Sequence, residues 1–372
     1  MTSRIPQIAD DIRAIFAARN VGMVDVAILQ PADPFLDMAG EDLRRRIFLT
    51  ESETGAALCL RPEFTIPVCI DHIASKAGTP RRYAYLGEVF RQRREGGNEF
   101  FQAGIEDLGE TDLARADARS IADAHALLSG LLPETKLNVT IGDQRVFEAV
   151  LAALGLPRGW QKRLARAFGS RELLDAALGD LANPSQRLTL EEPVASLVAD
   201  GDHKALAAHV LNAMDETGLS ESAGRTANEI ARRLIEKADL RSVRLSNEAL
   251  GALKTFLAIR APLRQAGNAL RDFAGDAGIS LGAALDQFSA RSRTLSEMDF
   301  PEADIHYDAA FGRPLDYYTG LVYEISGPDS DRPLAGGGRY DRLLTLLGAK
   351  QPIPGVGFSI WLDRIDALKG EA

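Results

Sequence analysis

The sequence predicts an α+β fold: an antiparallel sheet flanked by helices and interrupted by a mostly helical insertion. Two observations carry this. Short apolar stretches of strand length, punctuated by glycines and prolines, occupy residues 1–143 and return near Ile305. Between them, from Gln144 to about Leu295, an Ala-, Leu-, Arg- and Glu-rich stretch repeats its apolar residues at every third and fourth position, the helical period. Strands, then helices, then strands again describe a sheet domain with an insert.

Taken in order, Ile5–Arg19 sets Ile8, Ile12, Ile15 and Phe16 at helical spacing. Val24–Leu29 is a short apolar run closed by Pro31 and Pro34, a strand entering a loop. Ile47–Thr50 and Ala56–Leu60 flank Glu51–Gly55 and predict a hairpin. Thr65–Ser75 reads as a helix, and Tyr83–Arg91 and Glu99–Leu108 as two strands joined through a Gly96-Gly97 turn. Ala114–Leu132 is a helix and Leu137–Ile141 a strand. Breaks near Pro157, Pro184, Pro193 and Gly201 divide the helical stretch. Ile305–Phe311 and Leu321–Ile325 are strands, with a turn around Gly327–Arg332. The Gly336–Gly338 run has the composition of a turn, and Gly357–Leu368 begins as strand and becomes helix. The expected organisation is a core in two parts, 1–143 and 296–372, around an insertion at 144–295.

The chain has 372 residues, 45% of them hydrophobic, enough for a large core and for two or three domains. No run of about 18 apolar residues suggests a membrane span, and Met1–Ala18 lacks the layout of a secretory leader. Two cysteines, Cys59 and Cys69, are too few for a disulfide framework, and the five histidines show no metal-ligand spacing. A reduced, cytoplasmic setting with no metal and no cofactor is expected. The net charge of −10 weighs against a nucleic-acid surface, which needs phosphate-facing basic residues. The densest basic runs, Arg44–Arg46 and Arg91, Arg93 and Arg94, read most simply as solvated faces or local ion pairs.

Four clusters combine groups with chemistry. They are Leu60-Arg61-Pro62-Glu63-Phe64-Thr65; Phe90-Arg91-Gln92-Arg93 with Phe100 through Glu106; Arg313-Pro314-Leu315-Asp316-Tyr317-Tyr318; and Ala335-Gly336-Gly337-Gly338-Arg339-Tyr340-Asp341 with Gly357 through Arg364. Strand alternation puts Gln102, Gly104 and Glu106 on one face. An amide and a carboxylate there, joined by an arginine and tyrosines from elsewhere, suit a small zwitterion, because an arginine can grip a carboxylate through two parallel hydrogen bonds. Taken singly each is weak: a Gly run is usually a turn, a Tyr pair usually core, and Glu63 a solvated charge.

Together the clusters resemble histidyl-tRNA synthetase, a class II aminoacyl-tRNA synthetase, over about Ile5–Ile141 and Ile305–Leu368. That family carries Leu-Arg-Pro-Glu-Gly-Thr, Phe-Arg-x-Glu-Arg leading to Gln-x-Gly-x-Glu, Arg-Gly-Leu-Asp-Tyr-Tyr, Gly-Gly-Arg-Tyr-Asp and Gly-Leu-Glu-Arg. Several separated motifs in order are far more specific than any one. The resemblance implies a class II synthetase-like sheet and a histidine-binding set. Glu63 and Thr65 match the pair at the α-ammonium, and Gln102 and Arg313 the groups at the α-carboxylate. Glu106 and Tyr318 match the partners of the imidazole; Tyr340 lines that end, and Tyr317 belongs to the same set. A carboxylate at the ring is needed because a buried N–H left unpaired costs about 1–3 kcal/mol.

The nucleotide side departs from the pattern. Arg93 replaces the Glu of Phe-Arg-x-Glu-Arg, and the following loop, Arg94–Glu99, is short. Trp361 stands where the family has the Gly of Gly-Leu-Glu-Arg, and an indole there would fill the slot for adenine. Arg91 and Arg364 remain, so Arg91, Arg93, Trp361 and Arg364 form a remnant ATP site. On the histidine side, Phe64 and Pro314 also replace glycines and change backbone freedom next to histidine-contacting positions. The chain ends at Ala372, eight residues beyond Arg364, where synthetases continue into an anticodon-binding domain, so no such domain and no tRNA partner are expected.

A kept histidine pocket with these losses resembles the regulatory subunits of ATP phosphoribosyltransferase, as does Leu29–Phe35 followed by Gly40-Glu41-Asp42 and Arg44–Arg46. That resemblance implies a dimer of synthetase-like cores, assembled with a short-form catalytic subunit in the first step of histidine biosynthesis and regulated by L-histidine. Catalysis would lie on the partner chain. Two other readings stay open. One is a truncated synthetase paralogue that still forms histidyl-adenylate, favoured by Arg91, Arg313 and Arg364 and opposed by Trp361 and Arg93. The other is a scaffold with an unused pocket, against which stands the cost of burying polar groups without a ligand.

Overall fold

The computed structural model describes residues 8–38, 41–94, 96–182, 190–218, 226–242, 245–298, 305–315, 317–328 and 332–371. The chain forms two compact units. One comprises Met1–Val150, Phe168–Ser170 and Thr255–Ala372; the other comprises Leu151–Ala167 and Arg171–Lys254. The expected insertion, 144–295, is wider than the second unit, because residues 255–295 belong to the unit that carries the sheet.

The first unit opens with helix α1 (Ala9–Ala18), strands β1 (Gly22–Met23) and β2 (Leu29–Pro31), and short helices α2 (Asp33–Met38) and α3 (Glu41–Arg44). Next come β3 (Leu49–Glu51), β4 (Ala57–Leu60), α4 (Thr65–Ala74), β5 (Arg81–Phe90), β6 (Glu99–Leu108), α5 (Leu113–Leu131), β7 (Asn138–Asp143) and α6 (Gln144–Ala153). The second unit is helical: α7 (Arg158–Ala167), α8 (Arg171–Ala182), α9 (Val194–Ala199), α10 (His203–Thr217), α11 (Ala227–Ser242) and most of α12 (Asn247–Leu257). Val198, Leu206, Ala207 and Ala231 form a buried cluster within it. The chain then returns to the first unit as β8 (Arg260–Pro262), α13 (Leu263–Asp276), α14 (Gly282–Glu297), β9 (Ile305–Asp308), β10 (Leu321–Ser326), β11 (Ala335–Arg339), α15 (Leu343–Leu346), β12 (Gly355–Trp361) and α16 (Leu362–Glu371).

Among the described residues the main sheet has nine strands in the order β1-β5-β6-β12-β11-β10-β7-β9-β8, and a second sheet has the order β2-β4-β3. Pairing in the main sheet is antiparallel except for β1 with β5 and β7 with β9. An α+β fold with a mainly antiparallel sheet is therefore what the sequence builds. Helix α5 packs along the sheet, where its Ser120 hydroxyl lies 2.8 Å from that of Tyr323 on β10, and α14 packs against α5. Asp112 caps α5 by accepting from the Arg115 amide at 3.1 Å.

Two elements differ from the sequence reading. The apolar run Val24–Leu29 is not itself a strand; it links β1, which ends at Met23, to β2, which starts at Leu29 in a different sheet. Val24 continues the pairing of β1 through its amide to Ala84 O, 2.8 Å. Two residues on, the Val26 carbonyl accepts from the Arg61 guanidinium instead, and the chain crosses to pair as β2. Pro31 is tolerated because β2 is an edge strand. The Gly336–Gly338 run is not a turn but part of β11, an interior strand buried along its whole length. Of the expected turn at Gly327–Arg332, 329–331 lie outside the described residues, as do the start of the first helix and Pro184.

Candidate functional site

The register of four adjacent strands draws the site. Directly opposed residues share a face of the sheet. Tyr83 on β5, Glu106 on β6, Gly357 on β12 and Gly338 on β11 make one row. Tyr85, Gly104, Ser359 and Gly336 make the next, and Gly87, Gln102 and Trp361 the third. Glycines at 104, 336, 338 and 357 hollow this face. A Cβ on Gly336 would fall inside the Arg313 guanidinium, one on Gly338 would meet the Tyr318 ring at 2.6 Å, and one on Gly357 would strike the Glu106 carboxylate. The glycine run is thus required by the side chains that lie over it, not by a bend in the backbone.

The resulting cavity has a volume of about 110 Å³, the scale of a cluster of waters or one small amino acid. Glu63, Thr65, Gln102, Arg313, Tyr317, Tyr318 and Tyr340 line it, with Arg91 and Trp361. Glu106, expected at the ring end of the site, does not itself line the cavity: it is wholly buried behind Thr65 and Tyr340, which do. One of its oxygens accepts from the Thr65 hydroxyl at 2.7 Å and from that of Tyr85 at 3.4 Å; the other accepts from Tyr340. Burial pushes the Glu106 carboxyl up to about 8 despite the hydrogen bonds from Tyr340 and Thr65.

Glu63 is held differently. Its oxygens accept from the backbone amides of Thr65 (2.7 Å) and Ile66 (2.9 Å), which start α4, so this carboxylate also caps the helix. Burial raises its pKa, and the two amides and Arg91 oppose that rise. Arg91 is fixed by its Nε bond to Pro62 O, 2.7 Å, and burial pulls its guanidinium down to about 10. Gln102 is buried, and its Oε1 has no hydrogen-bond partner among the described residues. Arg313, with its side chain 10% exposed, sits 3.4 Å from Glu324 and between the rings of Tyr318 and Trp361, 6.0 and 5.7 Å from their centroids. Two guanidiniums, an unpaired amide oxygen and two buried carboxylates in so small a space can bind a zwitterion at both its poles.

The remnant nucleotide residues do not all converge. Arg93 pairs with Asp363 at 2.9 Å and covers the Phe100 ring, while Arg364 donates to the Pro333 carbonyl and lies 4.2 Å from the Trp361 ring centroid, outside the cavity lining. Trp361 packs in an apolar cluster with Val26, Phe64, Val68, Tyr85, Val89 and Phe100. Phe64 stacks on Tyr85 at 4.4 Å, nearly parallel, with the Arg61 guanidinium 4.1 Å from its other face. Both aromatics that replace glycines of the synthetase pattern thus share one packed wall.

The chain is 70% identical over 372 residues to the ATP phosphoribosyltransferase regulatory subunit of Mesorhizobium japonicum, covering 100% of both chains. It belongs to the family of ATP phosphoribosyltransferase regulatory subunits. The subunits of that name from Chelativorans sp. and Agrobacterium fabrum are 64% and 58% identical, over 100% and 98% of both chains. The broader histidyl-tRNA synthetase family matches residues 2–232 and 203–365. Solved structures with the same fold include an ATP phosphoribosyltransferase regulatory subunit/histidyl-tRNA synthetase from Bacillus halodurans, with TM-score 0.65 and 20% identity over 98% of this chain and 80% of that one. A histidyl-tRNA synthetase from Nostoc sp. gives TM-score 0.66 and 16% identity over 100% of this chain and 75% of that one.

Sequence reasoning missed several residues of this family member's site. Tyr85 donates to Phe358 O at 2.9 Å and lies 2.8 Å from the Ser359 hydroxyl, so it braces the wall behind Glu106. Alternation along β5 could have found it, because it faces the same way as Tyr83 and Gly87. Leu43 and Arg46 also line the cavity; the basic run Arg44–Arg46, expected as a solvated face or a set of local ion pairs, thus gives one member to the site.

Proposed function

We propose that this chain is the non-catalytic, histidine-sensing regulatory subunit of a short-form ATP phosphoribosyltransferase, acting in the first step of L-histidine biosynthesis. Phosphoribosyl transfer takes place on the partner catalytic subunit, and the working assembly joins dimers of this synthetase-like core to that partner. The observation that carries the reading is one cavity lined by Glu63, Thr65, Gln102, Arg313, Tyr317, Tyr318 and Tyr340, with Glu106 buried directly behind Thr65 and Tyr340. L-Histidine enters ring first, with an imidazole N–H on Glu106. Its carboxylate meets Arg313 and its ammonium meets Glu63. The Gln102 amide can offer nitrogen to the carboxylate or oxygen to the ammonium, since a flip exchanges them. Histidine then biases the assembly by its different affinity for two states. Trp361 occupies volume that the synthetase pattern leaves to a nucleotide, and on this reading the adenylation step is absent.

Reconstitution tests this. The purified chain is mixed with a short-form catalytic subunit and ATP phosphoribosyltransferase activity is followed while L-histidine is titrated. The expected result is activity that depends on this chain and changes with histidine. No gain in the partner's activity overturns the reading. Saturable Mg-ATP binding by the histidine-loaded chain, with adenylate formed, establishes the truncated synthetase in its place.

A further inference from the structure

Directly behind the cavity lies a closed ring of alternating charges that the proposed binding role does not use. The Arg339 guanidinium, at the end of β11 and 1% exposed, donates through Nε to Asp117 Oδ1 of α5 at 2.7 Å. Its other nitrogens reach Asp341 Oδ1 at 2.7 Å and the Leu113 carbonyl at 3.2 Å. Asp117 Oδ2 accepts from Arg291 of α14 at 3.3 Å, and Arg291 also donates to Asp143 at 2.7 Å. Asp143 accepts from the Arg145 backbone amide at 2.9 Å, and the Arg145 side chain closes the ring on Asp341 at 3.1 Å.

Buried ion pairs add little net stability, because desolvation offsets their attraction; what they do fix is geometry. Here they fix the two neighbours of one cavity residue. Tyr340 lies between Arg339 and Asp341. The Arg339 carbonyl accepts from the Thr319 amide at 2.8 Å, and the Asp341 amide donates to the Thr319 hydroxyl at 2.9 Å. Tyr340 is therefore pinned on both sides, and Thr319, which does the pinning, follows Tyr318 of the cavity wall. The Tyr340 hydroxyl in turn donates to Glu106.

We propose that Arg339 is a positioning residue for the amino-acid site: held by Asp117 and Asp341, it sets the backbone on either side of Tyr340 and so aims the Tyr340 hydroxyl at Glu106. This rests on the histidine-binding reading above. A planar fork of donors is needed to meet Asp117, Asp341 and a carbonyl at once, so lysine, a single charged point, cannot substitute. The expected signature is a loss of ligand affinity transmitted through Tyr340, beyond any loss of stability.

A double-mutant cycle on L-histidine binding, followed by calorimetry, tests this. Arg339→Lys and Asp117→Asn should each weaken binding about 10-fold, the effect of one misplaced hydrogen bond to a charged group. In a Tyr340→Phe background each should change affinity by less than about twofold, because the hydroxyl they act through is gone. Arg291→Met, which lowers the melting temperature but leaves Arg339 its fork, should bind histidine within about threefold of wild type. If Arg339→Lys does not fold, Asp117→Asn, which keeps the shape of the ring, carries the same cycle. The proposal is overturned if these variants lose stability and still bind histidine as wild type does, or if their effects multiply with that of Tyr340→Phe. A wild-type chain that binds no histidine overturns the functional reading first and this inference with it; wild-type binding with independent effects overturns this inference alone.

Discussion

Replacing Glu106 by Gln tests whether the cavity holds a protonated carboxyl when no ligand is bound. Burial raises this group to about 8 in the folded protein, whereas a glutamate in an unfolded chain titrates near 4.3. The folded state keeps a proton that the unfolded chain gives up. The associated stability is therefore fully present below about pH 4.3 and is lost as pH rises through about 8. Glu106→Gln cannot titrate, so it loses nothing over that window. A shift of this size corresponds to a few kcal/mol, at about 1.4 kcal/mol per unit. The roughly three units between pH 5 and about 8 come to about 4 kcal/mol, so at roughly 2–4 °C per kcal/mol for a domain of ordinary size the melting temperature of wild type relative to Glu106→Gln should fall by about 8–16 °C between pH 5 and pH 9. Differential scanning calorimetry without ligand at the two pH values measures it. Glu63, whose carboxyl burial also raises, is present in both proteins and largely cancels. A difference in melting temperature that does not change with pH would refute the reasoning, because it would mean that Thr65, Tyr340 and Tyr85 stabilise the charged form enough to cancel its burial.

Three further outcomes follow from the same geometry. Arg313→Lys loses the planar grip on a carboxylate and should weaken L-histidine about 10-fold or more, while L-histidinol, which has no carboxylate, binds as before; equal losses for both ligands would remove Arg313 from that pole. Gly336→Ala puts a Cβ inside the Arg313 guanidinium and should reproduce that selective loss while leaving the circular dichroism of the fold intact. Trp361→Gly removes an indole from the cluster with Phe64 and Phe100 and should cost about 3–5 kcal/mol in a denaturant titration; the same variant should gain measurable Mg-ATP binding, and a stable variant without that gain would refute the filled-slot account.

What the sequence revealed and what it hid follow from how far apart the interacting residues lie. The span of β6 and its pairing with β5 were legible because alternation and a glycine turn are local signals. The meeting of Glu63, Thr65 and Gln102 around one cavity was legible because each stands in a short motif. The strand character of Gly336–Gly338 was not: a glycine carries no alternation, and the reason for it, Arg313 and Tyr318 lying over the sheet, is supplied by a different stretch of chain. The break in Val24–Leu29 has the same origin, since Arg61 takes the Val26 carbonyl from 35 residues away. The ring through Asp117, Arg291 and Arg339 joins residues 174 and 222 positions apart, and no spacing rule reaches so far.

The two halves of the site are built on different kinds of element, and under the proposed function that difference bears on how the site would sense histidine. Phe64, Tyr85 and Trp361 are packed against one another, and Tyr85 is bonded to Phe358 and Ser359. Gln102 and Glu106 project from β6, whose neighbours β5 and β12 carry that wall. This half is preorganised, which lowers the entropy a ligand must overcome, but a rigid wall alone cannot distinguish two states. Differential affinity requires groups that change place. The remaining lining residues, Arg313, Tyr317 and Tyr318, sit on the connection between β9 and β10, with Tyr340 just beyond the end of β11. These tyrosines are packed as well, Tyr317 against Tyr318 at 5.0 Å and against Tyr340 at 6.0 Å between ring centroids, but they stand on connections rather than within strands, and the charged ring behind Tyr340 reaches α14 through Arg291. Under the proposed function, the change that histidine reads or causes is confined to this second half. Hydrogen exchange should then slow on histidine binding in residues 313–320 and in α14, and stay unchanged in β5 and β6; protection confined to β5 and β6 would place the moving part in the wall instead.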